Sequence, residues 1–219
     1  MADPHIHLSE DWRLALRPIL LDFIPKSIVW QFPLLNPGYP ELHRYLRNRG
    51  ISPLTYERFG VRVNPGLSEL AFIFTNIHGN PIGMVFRNIY DKKISGLKIE
   101  GVELPKKAKR GAWFGMHLID VSKPLLVCEG EMDAMLAYEF GYTNVASPGG
   151  MSLTKQQARA IYNKEILVGF DSDKAGNYGW EQVKKLWPDK RLTKINWSPF
   201  KDVGEIKNSR DFWRIINGS

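Results

Sequence analysis

Residues 125–141, LLVCEGEMDAMLAYEFG, decide how the second half of the chain is read. An apolar run stops on Glu129-Gly130-Glu131, and the pattern then turns amphipathic, with Met132, Met135, Leu136 and Phe140 on one side. That is a strand ending on a carboxylate and feeding a helix. The texture repeats to the C-terminus. NVASPGG (144–150) reads as a strand and glycine turn, and LTKQQARAIYN (153–163) as a helix. EILVGFDSD (165–173) is a strand, AGNYGWEQVKKLWP (175–188) a helix, RLTKINWSP (191–199) a strand and SRDFWRIIN (209–217) a last helix. Strands alternating with helices of this length predict an α/β fold, a mainly parallel sheet with helices on both faces.

The first half has a different texture. HLSEDWRLALRPILLDFIPK (7–26) suggests a short helix capped by Ser9 and broken by Pro18 or Pro25. PGYPELHRYLRNRGISPLTYERFG (37–60) reads as two short helices, with Gly50 and Gly60 at left-handed caps and Ser52-Pro53 restarting the chain. ELAFIFTNIHGNPIGMVFRNIY (69–90) is a hairpin turning at His78-Gly79-Asn80-Pro81. Residues 91–112 form a basic connection with little periodicity.

Composition narrows the function classes. The chain has 219 residues, with 30 Lys and Arg against 23 Asp and Glu, a net charge of +7 that suits nucleic acid or phosphate ligands without proving them. The single cysteine, Cys128, excludes an internal disulfide and any zinc site needing two or more thiolates. No apolar run is long enough to span a membrane, and MADPHIHLSEDW lacks the basic-then-apolar layout of a signal peptide. A cytoplasmic location, in a bacterium or a phage-infected host cell, is expected.

In an open parallel sheet, ligands bind beyond the carboxyl ends of the strands. Three segments deposit acids there: Glu129 after the first strand, Asp171-x-Asp173 after the third, and Asp202 with Glu205 after the fourth. Residues two apart in an extended segment point the same way, so Asp171 and Asp173 can face one ion. Carboxylates crowded together repel unless a cation holds them, which implies a divalent metal with oxygen ligands. Gly130 and Gly176 leave room for a phosphate, and helices starting after the acidic tips direct their positive ends the same way.

Together these motifs carry a family resemblance. Glu129-Gly130 with Asp133, Asp171-Ser172-Asp173-Lys174-Ala175-Gly176, and Lys201-Asp202-Val203-Gly204-Glu205 resemble the three motifs of the Toprim domain. EGEMDAM and DSDKAG are most similar to the bacterial and phage branch of DnaG-like DNA primases. Upstream, YLRNRGISPLTYERFGV, FTNIHGNPIGMVFRNIY and AWFGMHLID resemble the start, the hairpin and the lead-in segment of that catalytic core. The resemblance covers roughly residues 42–209 and implies three parts: an N-terminal extension (1–40), a basic subdomain (41–120) and a Toprim domain (121–219).

By position, the resemblance makes Glu129 the catalytic acid. Asp171 and Asp173 become principal metal ligands, with Asp133, Asp202 and Glu205 as further ones. Arg87, Lys98, Lys109, Arg110 and Lys174 become nucleotide or template contacts. The family pattern has a second Asp where this chain has Gly204. The implied activity is metal-dependent synthesis of short RNA primers from NTPs on single-stranded DNA, with Mg²⁺ or Mn²⁺ and no zinc in this chain. A Toprim nuclease and a non-catalytic replisome subunit are the alternatives; a topoisomerase lacks room for its cleavage domain. The implied partners are a replicative helicase or a separate zinc-bearing protein, since the zinc module of such primases has no counterpart here, and no membrane.

Overall fold

The computed structural model describes residues 19–20, 22–64, 66–98, 102–103 and 111–218. Its second half is a four-stranded parallel sheet that comes from the alternation read above. The strands are β7 (Leu125–Cys128), β8 (Val145–Ala146), β9 (Glu165–Gly169) and β10 (Arg191–Lys194), in the order β10-β9-β7-β8. All four residues of β7 are fully buried, which explains an apolar run without alternation. Leu126 and Cys128 pack into one core cluster, and Leu125 and Val127 into another.

The connecting helices are α4 (Glu131–Glu139) between β7 and β8, α5 (Lys155–Arg159) between β8 and β9, and α6 (Lys174–Leu186) between β9 and β10. Met135 and Leu136 of α4 join the cluster of Leu126, with Phe212 and Ile215 of the closing helix α7 (Ser209–Gly218). Ala158 of α5 and Val183 of α6 join the cluster of Leu125 on the opposite face. The sheet is therefore covered on both sides, as the sequence predicts.

Helix α5 has a capping box. Thr154 accepts a hydrogen bond from Gln157 N, and Gln157 reaches back to the Thr154 N–H. The amide of Gln157, itself buried, also donates to the carbonyls of Ala112 and Pro148. Thr154→Ala is expected to cost about 1 kcal/mol, read as a lower midpoint in urea unfolding with an unchanged slope.

The first half is an antiparallel sheet, in the order β2-β3-β4-β5, built from β2 (Arg62–Asn64), β3 (Glu69–Thr75), β4 (Pro81–Asn88) and β5 (Ile94–Gly96). The expected hairpin is β3–β4. Asn76 Oδ1 closes its turn by accepting from the N–H groups of His78 and Asn80, both at 3.0 Å. Ahead of the sheet lie α2 (Pro40–Asn48) and α3 (Pro53–Arg58), the two helices read from 37–60. Gly50 and Gly60 follow them with φ of +84° and +64°, which suits a residue without a Cβ. Ser52 does not cap α3 with its side chain: its N–H, its hydroxyl and that of Thr55 all donate to Glu139 Oε2 at the end of α4.

Two expectations are corrected. A helix ended by Pro18 would lie outside the described residues, but one running on to Pro25 gives way to a strand β1 (Ile19–Leu20) and a single turn α1 (Lys26–Val29) after Pro25. Proline at 18 and 25 bars a helix from running through, and β1 pairs in parallel with β6 (Val102–Glu103). The Ser9 cap lies outside the described residues. The connection 91–112 is likewise not featureless, because β5 pairs with β4 and β6 with β1. Alternation cannot be read from strands of two or three residues.

One core cluster runs through both halves, from Leu42 and Leu46 of α2 through Phe72 and Phe74 of β3 to Leu126 of β7 and Phe212 of α7. That cluster seats the antiparallel sheet against the parallel one, with β4 and β5 beside the carboxyl ends of β7 and β9.

Candidate active site

The strand order creates the site. From β7 the chain moves outward to β8, then crosses back over β7 to β9, so the loops after β7 and β9 diverge from adjacent strands. Ligands bind in the crevice such a reversal opens. Glu129 directly follows β7, and Asp171 lies two residues beyond the end of β9. A cleft of about 500 Å³ opens there. One wall carries Glu129, Asp133, Asp171 and Asp202, and the other carries Arg87 of β4 with Ile94, Ser95 and Gly96 of β5.

Each acid is placed through the backbone. The Glu129 carbonyl accepts from Ser147 Oγ and Gly150 N, both at 2.8 Å, which pins its loop against the glycine turn after β8. Asp173 Oδ1 caps α6 by accepting from Ala175 N at 2.9 Å and Gly176 N at 3.0 Å. Asp202 Oδ1 caps the 3-10 turn Val203–Glu205 by accepting from Glu205 N at 3.1 Å. A Cβ on Gly176 would stand 2.1 Å from the Asp171 carbonyl oxygen, so only glycine lets the first turn of α6 approach that loop.

The local electrostatics follow from crowding. Burial raises the Glu129 carboxyl above its ordinary range, and Asp171 and Asp173 add to the rise. Asp133 is pushed up to about 7, by burial first and then by Asp202 and Asp171. Asp202 is also raised, by burial and then Asp171. Asp173 moves the other way, held down by the Gly176 N–H and by Lys201. Lys201 Nζ lies 3.1 Å from Asp171 Oδ2 and 3.4 Å from Asp173 Oδ2, and Asp171 above all raises its affinity for its proton.

Two polar atoms of the cleft residues are buried without a hydrogen-bond partner: Glu129 Oε2 and Arg87 Nε. Buried polar atoms are normally paired, and leaving one unpaired costs about 1–3 kcal/mol. An unpaired acceptor and an unpaired donor on residues of one cleft mark side chains whose polar atoms the fold alone does not satisfy. Among the described residues, no three His, Cys, Asp or Glu side chains close into a ready-made metal cage. The oxygen donors still fit magnesium, which keeps several waters and uses one or two carboxylates plus substrate phosphates.

The structure does not bring every expected residue to the cleft. Asp171 and Asp173 lie in the loop after β9 rather than within the strand, and they share Lys201, while Asp173 is not among the cleft-lining residues. Glu205 is exposed, and its Oε2 accepts from Lys201 N at 2.8 Å instead of facing the cleft. Lys174 and Lys98 are exposed and do not line it. Lys109 and Arg110 lie outside the described residues. Sequence reasoning missed the bracing by Ser147, the cleft-lining Gly149 and Gly150, the wall formed by β5, and Lys201. The glycine pair was a visible signal, whereas the reach of Lys201 across two loops has no signature in the sequence.

Residues 126–206, the segment that carries the parallel sheet and its acids, match the Toprim-like family model. The chain as a whole has the fold of the DnaG-like primase catalytic core. It is 23% identical over 223 residues to the DNA primase of Clostridium acetobutylicum, covering 97% of this chain and 34% of that protein. The RNA polymerase domain of Mycobacterium tuberculosis primase superposes with a TM-score of 0.67 at 16% identity, over 95% of this chain and 84% of the other. The primase domain of bacteriophage T7, bound there to an RNA/DNA hybrid and dTTP, superposes with a TM-score of 0.64 at 25% identity, over 85% of this chain and 89% of the other. The chain spans about a third of the length of the curated primases it matches.

Proposed function

We propose that this chain is the catalytic core of a DnaG-like DNA primase, a DNA-directed RNA polymerase that makes short RNA primers on single-stranded DNA. The observation that carries the reading is the pair of orphaned buried atoms, Glu129 Oε2 and Arg87 Nε, on one cleft at the reversal point of a Toprim sheet. The 3′-hydroxyl of one nucleotide attacks the α-phosphate of the next, and pyrophosphate leaves. The Glu129 carboxylate, which lines the cleft and is raised in proton affinity, is the acceptor for the hydroxyl proton.

Asp171, Asp133 and Asp202 on the cleft wall, with Asp173 beside them, would hold Mg²⁺ or Mn²⁺. When bound, such an ion lowers the hydroxyl pKa and neutralises charge developing on the phosphates. Arg87 supplies a fixed planar donor to the triphosphate or the template backbone. Arg87→Ala is expected to weaken nucleotide or DNA binding about tenfold and to leave the metal requirement unchanged. Titrations of both ligands over a salt series check this; wild-type affinities and salt slopes would make Arg87 structural.

Single-stranded DNA and NTPs are the proposed substrates, and a replicative helicase or a zinc-bearing protein the proposed partner. No helix among the described residues is long and apolar enough to cross a membrane, and we place the protein in the bacterial or infected-cell cytoplasm. The test is incubation with single-stranded DNA, labelled NTPs and Mg²⁺ or Mn²⁺, with and without a supplied primer. Short RNA supports the reading. DNA cleavage without nucleotides marks a nuclease, and neither product marks an accessory subunit.

A further inference from the structure

One ammonium serves both carboxylates of the Asp-x-Asp pair: Lys201 Nζ is 3.1 Å from Asp171 Oδ2 and 3.4 Å from Asp173 Oδ2. The backbone of Lys201 is fixed on both sides. Its N–H donates to Glu205 Oε2 at 2.8 Å, and its carbonyl accepts from Ser172 N at 2.7 Å. The second bond joins the loop after β10 to the loop after β9, at the residue between the two acids. The same bond that holds those loops together thus delivers the ammonium to the acids. The side chain is 50% exposed, so the ammonium can withdraw into solvent while its backbone stays in place.

We propose that Lys201 is the resident counter-cation of Asp171 and Asp173 and competes directly with the divalent ion for them. This rests on the reading of these acids as metal holders given above. Two carboxylates held side by side repel, and a cation between them relieves the repulsion. An ammonium is a compact single charge on a flexible stem, whereas a hard divalent cation brings twice the charge and seeks the same oxygens. Both Oδ2 atoms already face Nζ, so an ion using them displaces the lysine. Metal loading is then an exchange of cations, and the acids keep their spacing before the metal arrives.

The test follows free Mn²⁺ by electron paramagnetic resonance during titration of the metal-free wild type, Lys201→Met and Lys201→Arg, without nucleotides. Lys201→Met is expected to bind Mn²⁺ about tenfold more tightly and to melt lower in EDTA, with the gap closing as Mn²⁺ saturates. Lys201→Arg keeps the charge and stays near wild-type affinity. In the wild type itself, trace acylation of the Lys201 amine, read by mass spectrometry, rises in step with Mn²⁺ occupancy. That measurement decides the matter should Lys201→Met fail to fold. Equal or weaker Mn²⁺ binding by a folded Lys201→Met, or an amine indifferent to Mn²⁺, overturns the proposal. Mn²⁺ binding by none of the three proteins removes the metal-dependent reading as well, whereas binding unchanged by Lys201→Met removes this inference alone.

Discussion

On the proposed primase reading, Asp171→Ala is expected to lower primer synthesis by up to about a thousandfold, the upper end of what removing one transition-state stabiliser costs, while the protein stays folded. The geometry gives the reason. Asp171 lies on the cleft wall and is the acid whose charge raises Glu129, Asp133 and Asp202 alike. Removing it strips a candidate metal ligand and lets the other carboxyls relax toward their ordinary ranges. Its side chain pairs with Lys201, which retains Asp173 as a partner. Loss of like-charge repulsion therefore leaves the metal-free melting temperature equal or higher. Primer synthesis is measured beside far-UV circular dichroism and a melt in EDTA, and wild-type-like synthesis would remove Asp171 from the site.

Between about pH 4 and pH 7 the metal-free wild type loses stability as the pH rises, and Asp133→Asn removes most of that slope. Asp133 titrates near 7 in the fold against an ordinary 3.8, so the folded chain binds this proton more tightly than the unfolded chain. Such a carboxyl contributes stability in full below its unfolded pKa and loses it as the pH passes through the folded value. The whole shift is worth about 4 kcal/mol unscreened, and about 2 kcal/mol for a carboxyl that keeps part of its contact with solvent. Glu129 and Asp202 are raised as well and add in the same direction, whereas Asp173 is lowered, so its opposite contribution falls below this pH window. Urea unfolding in EDTA across this range measures the slope. A variant as pH-dependent as the wild type would mean that Asp133 is not the group responsible.

The parallel sheet was legible because burial on both faces leaves an unbroken apolar run such as Leu125–Cys128, bounded by glycine and acid. The placement of Glu129 and Asp171 was legible for a related reason, since strand ends in such a sheet share an edge. Asp173 was harder. Its spacing suggests that it faces an ion beside Asp171, yet one of its oxygens is committed to capping α6. Glu205 shows the same limit, because its neighbourhood in sequence gives no sign that its carboxylate turns back onto Lys201 N. The cleft wall formed by Ile94–Gly96 was missed because three exposed residues carry no periodic signal, and only pairing with β4 defines them as a strand.

The backbone bonds that hold these acids have a further consequence. Asp173 and Asp202 each anchor a turn through one oxygen, and an asparagine presents the same oxygen without the charge. Glu129 is pinned through its main-chain carbonyl, which accepts from Ser147 and Gly150, and a glutamine keeps that carbonyl and one side-chain oxygen. Shape and chemistry are therefore separable here, one nitrogen for one oxygen at a time. On the proposed reading, a descendant carrying amides at these positions would superpose on this chain yet make no primers. Whether a protein of this fold is an enzyme is thus written in a few side-chain atoms that the path of its backbone does not record.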